Sequence, residues 1–209
     1  MERLLFQCLC IRNDLQEAKA NVKQKDLLAS ITHLKLAFFA FHDLCDLERS
    51  IRPIYSKHRR LSKKFRVFQA NAEMFSYLRN KFAAHLTNDL VDKALEWKPE
   101  LKIMLDNDYD PKIVSAFNLF FLETAINTYV DDHGQPKLFD SETDLIYPPD
   151  ANRFRETLLK SIDDATEFLK ALERILRPQV SIPKTQEEQL ALFIKAGGTD
   201  FNFLRKGTR

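Results

Sequence analysis

The segment Arg79-Asn80-Lys81-Phe82-Ala83-Ala84-His85 holds the residue types in this chain best suited to chemistry. Histidine is the side chain whose ordinary pKa lies near neutrality, so His85 could take or give a proton. Arginine presents a planar, permanently charged fork that matches a phosphate, so Arg79 could hold one as negative charge builds up on it. Asn80 could orient the phosphate or His85. Arg79, Asn80 and His85 are therefore the candidate catalytic residues, for proton transfer at a phosphate.

Other chemistries have less footing. There is no Gly-rich phosphate loop, no Gly-x-Ser-x-Gly elbow and no His-Glu-x-x-His helix, which leaves kinase, hydrolase and metalloprotease readings without a motif. Asp106, Asp108 and Asp110 open like a calcium loop, but Pro111 stands where glycine is required and Phe117 where a bidentate glutamate belongs. His42 and Asp46 are one helical turn apart without further ligands, and His33 and Asp132-His133 are no better placed. Cys8, Cys10 and Cys45 are odd in number and lack Cys-x-x-Cys spacing, so neither a disulfide framework nor a zinc site is expected. No metal and no cofactor are expected.

The frame of the segment is helical. Phe65, Phe68, Ala72, Phe75, Phe82 and Leu86 recur in steps of three and four, which predicts a helix from Phe65 to about Leu86 with one apolar face. Arg79 fills a slot of that stripe. A guanidinium there is costly unless something meets it. A purely structural Arg-His pair would find Asp89 or Glu123. On an ideal helix, positions 79 and 85 lie about 120° apart and roughly two turns along, flanking a shared edge.

Arg79-Asn80 followed by Lys81-Phe82-Ala83-Ala84 and His85 resembles the Arg-(four to six residues)-His motif of the HEPN superfamily, in which Asn commonly follows the Arg. The resemblance implies an all-helical bundle that dimerises so that two motifs line one cleft, and a ribonuclease that needs no metal because the RNA 2′-hydroxyl attacks the adjacent phosphate. It also implies a toxin or phage-defence role with an inhibitory partner protein. Two other roles stay open: a non-catalytic helical interaction module, and a nucleotide-binding partner of a nucleotidyltransferase. Arg52 and His58 share the motif's spacing, but Pro53 follows Arg52 in a charged connector, off any apolar stripe.

Between Arg49 and Arg66 the basic residues Arg49, Arg52, Lys57, Arg59, Arg60, Lys63, Lys64 and Arg66 accumulate with no acidic residue among them. Such a block is either a solvated connector or a sequence-blind RNA backbone contact. On the second reading Arg59, Arg60, Lys63, Lys64 and Arg66, with Lys81 beside the motif, bind RNA. Tyr55 could stack on a base, and Phe65 belongs to the core. A net charge of +2 argues against a polycation that coats nucleic acid with its whole surface.

The remaining elements must form the scaffold. Leu5, Leu9 and Leu15 mark a helix over 2–20. Leu27, Ile31, Leu34, Phe38, Phe41 and Cys45 mark a longer one over 24–50, ended or kinked at Arg52-Pro53. Asp110-Pro111 is a helix start leading into Val114, Phe117, Phe121 and Leu122, with an end at Asp131-Asp132-His133-Gly134. Residues 134–149 read as a crossover loop. Asp150 is expected to cap a helix carrying Phe154, Leu158, Ile162, Ala165, Phe168, Leu169, Leu172 and Ile175, and Thr185 and Glu188 have capping-box spacing. The first glycine is Gly134, so tight hairpins are not expected before it.

The 17 phenylalanines recur at helical spacing and read as core. Met1-Glu2-Arg3-Leu4-Leu5-Phe6 fails as a signal peptide, and no apolar run approaches the roughly 18 residues of a membrane span. The cytoplasm is the expected location. The fold expected is all-α: an irregular up-down bundle of four to five main helices over 1–178, with a C-terminal linker, short helix and basic tail over 179–209.

Overall fold

Helical periodicity in the sequence becomes helical structure throughout. The computed structural model describes residues 1–24, 26–106 and 110–198, and among these no β-strand forms. The α-helices are α1 (Glu2–Gln24), α2 (Ile31–Ile51), α3 (Arg59–Arg66), α4 (Gln69–Leu78), α5 (Asn88–Trp97), α6 (Pro111–Asn127), α7 (Pro148–Leu176) and α8 (Gln186–Gly197). A π turn, Arg79–Ala83, extends α4, and 3₁₀ segments follow α2 (Arg52–Ser56) and α5 (Pro99–Asp106). No helix of the described residues is long and apolar enough to cross a membrane.

The core lies where α2 packs between α1 and α4, with α7 laid against α1, α3 and α4. Phe75 is its centre. That ring, fully buried, meets Phe41 at 4.8 Å, Phe38 at 5.9 Å and Phe154 at 6.4 Å between centroids, so α2, α4 and α7 are joined by aromatic contacts beyond simple area burial. Phe65, Phe68 and Phe168 form a second cluster between α3, α4 and α7. The phenylalanine excess is thus largely packing, Phe65 included.

Several expected boundaries shift, each for a local reason. The helix expected from residue 24 starts at Ile31. Ahead of it, Asp26 accepts from the Ala29 amide at 2.7 Å and Ser30 donates to the Asp26 carbonyl, closing a turn while Leu27 stays buried. The single helix expected from Phe65 to Leu86 is broken twice. Phe68, at φ −124° and ψ 12°, turns α3 into α4 while its ring stays in the core, and the π turn ends the run before Leu86, which is 49% exposed.

Asp110 caps α6 as expected, accepting from the Lys112 amide at 2.8 Å, but α6 stops at Asn127. Gly134, at φ 75°, closes a separate turn with Asp131. Helix α7 begins at Pro148 with Tyr147 as its cap, ahead of Asp150. Prolines are tolerated there because first-turn amides have no partner within the helix. Thr185 and Glu188 form the full capping box of α8, whose residues are exposed along its length. Helix α5 and the 3₁₀ segment after it were not foreseen. Asp108 and the segment after Gly198, including the basic tail, lie outside the described residues.

Candidate functional site

Leu78 and Phe82, 0% and 2% exposed, pin the end of α4 into the core, and the backbone between them and Ala84 widens. The Ala84 amide donates to the Arg79 carbonyl at 2.9 Å, five residues back instead of four. Such π turns are rare and recur at functional sites, because the wider turn redirects side chains that a regular helix would stack. Here the chain leaves the helix at Ala84, and His85 lies in the short connection before Thr87 opens α5. His85 is exposed and makes no hydrogen bond or ion pair with any described residue. The shared helical edge expected for Arg79 and His85 is therefore replaced by a turn and a loop.

Arg79 is half-buried. Its guanidinium lies 5.2 Å from the Phe39 ring centroid on α2, and Nη1 donates to Asn80 Oδ1 at 3.0 Å. Nε is buried and unpartnered among the described residues. The acids that would satisfy a structural Arg-His pair are engaged elsewhere: Asp89 pairs with Lys81 at 3.1 Å and Glu123 with Lys98 at 2.8 Å. Asn80 thus holds the arginine. Lys35 backs the turn from α2, its ammonium 4.7 Å from the Phe82 centroid and donating to Asn118 at 2.8 Å; burial lowers its pKa.

Helix α2 brings further polar groups to this end, which the sequence reading did not assign to the site. His42 Nδ1 and the Ser76 hydroxyl share a hydrogen bond of 2.9 Å. Burial raises the pKa of the neighbouring Asp43 carboxyl; the charges of His42 and Arg79 pull it down, and those of Asp46 and Asp14 push it up. The α2 spacing of Phe39, His42, Asp43 and Asp46 is visible in the sequence. Its register against α4 is a tertiary fact.

The basic block divides. Arg49 is paired with Asp46, and Arg52 with Glu48 at 3.0 Å, which removes the Arg52–His58 alternative as a free pair. Lys57, Arg59, Arg60, Lys63, Lys64 and Arg66 are exposed and make no ion pair among the described residues. Lys57, His58, Arg59, Arg60 and Lys64 rim a cleft of about 480 Å³ floored by Leu61, Ala171 and Ile175. The cleft is built from the 3₁₀ segment after α2, α3 and α7, and its lining includes no residue of α4 or of the motif. A smaller groove of about 230 Å³ lies between α2, α3 and α4, and Glu48 and Glu73 line it beside Arg49, Arg52, Gln69 and Ser76. Lys81, neutralised by Asp89, is the one RNA-binding candidate at the motif.

No protein-family model, curated protein sequence or solved structure matches this chain.

Proposed function

We propose that this chain is a metal-independent endoribonuclease of the HEPN type. The observation that carries the reading is the π turn. It sends His85 to the surface and keeps the Arg79 guanidinium half-buried beside Asn80 and Phe39, with no carboxylate among the described residues ion-paired to either. An unpaired, partly desolvated guanidinium favours an external anion, since charge-assisted hydrogen bonds strengthen as water is excluded.

In the reaction a base removes the proton of the RNA 2′-hydroxyl. The freed oxygen attacks the adjacent phosphorus, and the bond from phosphorus to the 5′-oxygen breaks. That oxygen leaves with a proton supplied by an acid, so the products are a 2′,3′-cyclic phosphate and a 5′-hydroxyl. His85 exchanges one of these protons, Arg79 meets the charge on the phosphoryl oxygens, and Asn80 holds the guanidinium in place. The cleft rimmed by Arg59, Arg60 and Lys64, with Lys63 and Arg66 beside it, binds the backbone without reading sequence. The same reading pairs two copies across one cleft, places the protein in the cytoplasm, and makes it a toxin or defence effector held by an inhibitory partner.

A second reading, a non-catalytic interaction module, draws on exposed apolar residues. Leu190, Phe193 and Ile194 of α8, with Ile103 and Leu105, are each more than half exposed, and surfaces of this kind mark association. Cleavage of a mixed RNA pool in EDTA separates the two. Under the nuclease reading, His85→Ala slows cutting by on the order of 10²- to 10⁴-fold and Arg79→Ala by on the order of 10²-fold, with helical content unchanged. Equal cutting by wild type and His85→Ala would defeat it.

A further inference from the structure

Helix α8 presents an apolar face that nothing among the described residues covers. Leu190, Phe193 and Ile194 are exposed, and Glu187 lies one turn before Leu190 on the same face, without an ion pair among the described residues. The basic cleft has the complementary make-up: Leu61, Ala171 and Ile175 form its floor, and Lys57, Arg59 and Arg60 with Lys64 its rim. We infer that α8 of one copy of this chain docks in the basic cleft of a second copy, reciprocally, so that two clefts take two helices. The contact uses neither Arg79 nor His85 and does not rest on the ribonuclease reading.

Charge and polarity both fit. Glu187 and Glu188 stand in the first turn of α8, while no carboxylate is among the residues that line the cleft. Glu188 is fixed by the capping box, accepting from the Lys184 and Thr185 amides at 2.7 and 3.1 Å, so Glu187 is the acid free to meet a cation. Burial of Leu190, Phe193 and Ile194 on the cleft floor drives the association, and the charges at the rim select the partner and its direction.

The connection to α8 directs it to a second copy. Gln179 Nε2 donates to the Ile175 carbonyl at 2.8 Å, and Val180 packs against the core, so the chain leaves α7 at the wall of the cleft. Val180 and Thr185 are both extended, at ψ 124° and 156°, and Pro183 disfavours a helical turn at Ile182. An extended connection carries α8 outward: every residue of the helix is exposed and none lines the cleft. Exchange of an end element is a low-cost route to a dimer, and two-fold symmetry makes the same contact twice. In the exchanged dimer α8 covers Arg59, Arg60 and Lys64, and RNA reaches those cations only by displacing it.

The test is Phe193→p-benzoylphenylalanine in the full chain, a photoreactive aromatic at a position 76% exposed. Isotope-labelled and unlabelled protein are mixed at high micromolar concentration, left until subunits have exchanged, and irradiated, and the joined peptides are mapped by mass spectrometry. We expect joined pairs of mixed isotope composition that link α8 to residues 56–64 and 171–175, with a several-fold lower yield for Glu187→Lys at low salt. Pairs of uniform composition alone, which put α8 on its own chain's cleft, overturn the inference. So do links to other surfaces, such as that of Ile103 and Leu105, and a wild type that sediments as a monomer at the same concentration. An undiminished yield for Glu187→Lys overturns the charge match and the choice of cleft with it. Each of these failures leaves the ribonuclease reading standing, since RNA cleavage is measured separately.

Discussion

At the scale of single residues, Arg79 carries its charge on a planar group with several donors in fixed directions. Its guanidinium carbon lies 5.2 Å from the Phe39 ring centroid while Nη1 donates to Asn80. Arg79→Lys keeps the charge and loses the fork of donors that matches a phosphate, so we expect it to cut RNA on the order of 10²-fold more slowly, measured at saturating substrate; full activity would show that charge alone suffices. The identities of Arg79, Asn80 and His85 were legible in the sequence because their chemistry belongs to the side chains. Their surroundings were not. The stripe of Phe75 and Phe82 implied a buried arginine on a regular helix, and only the packing of Phe82 against Lys35 and Leu78 against the core reveals the π turn that frees His85.

At the scale of elements, the turn depends on its anchor. Phe82→Ala empties a site only 2% exposed, and large-to-small changes of this kind cost about 3–5 kcal/mol; chemical denaturation measures the loss. Helices α1 and α7 are tied by Glu173, which accepts from Arg177 at 3.1 Å and also pairs with Arg12. Arg177 chiefly, then Arg12, holds the Glu173 carboxyl below the usual range. A depressed folded-state pKa stabilises above the ordinary glutamate value of about 4.3, and that contribution is lost as pH falls through the lower folded value. Glu173→Gln is therefore expected to lower Tm by about 2–4 °C at neutral pH, with the gap to wild type closing in acid.

The cysteines report on the same packing. Burial pushes the Cys8 thiol up to about 11 and that of Cys45 up to about 12, while Cys10 is exposed. One thiol should react quickly with an aromatic disulfide reagent in the native protein, and three after unfolding. Helix periodicity foretold α1, α2, α6 and α7 because an amphipathic face repeats along the chain, and the capping-box spacing of Thr185 and Glu188 foretold α8. The breaks at Ser30, Phe68 and Leu78 were hidden, since each keeps its apolar neighbours buried and only the backbone direction changes.

At the scale of the whole molecule, a net charge of +2 conceals an uneven distribution. Arg49, Arg52 and Lys81 are neutralised by neighbours, whereas Arg59, Arg60 and Lys64 make no ion pair among the described residues. Replacing those three by alanine should reduce the slope of log affinity for single-stranded RNA against log salt by about 2, with melting unaffected because all three are exposed. An unchanged slope would make the block a solvated connector. Counting charges along the sequence located this block, but its division into paired and free members required the helical faces that bring Asp46 and Glu48 to Arg49 and Arg52. The most direct test of the central claim is the chemistry of the cut ends, read by mass spectrometry after incubating RNA with the protein in EDTA. We expect 2′,3′-cyclic phosphate and 5′-hydroxyl termini that disappear with His85→Ala. Termini bearing 5′-phosphate, or cyclic ends that persist without His85, would contradict it.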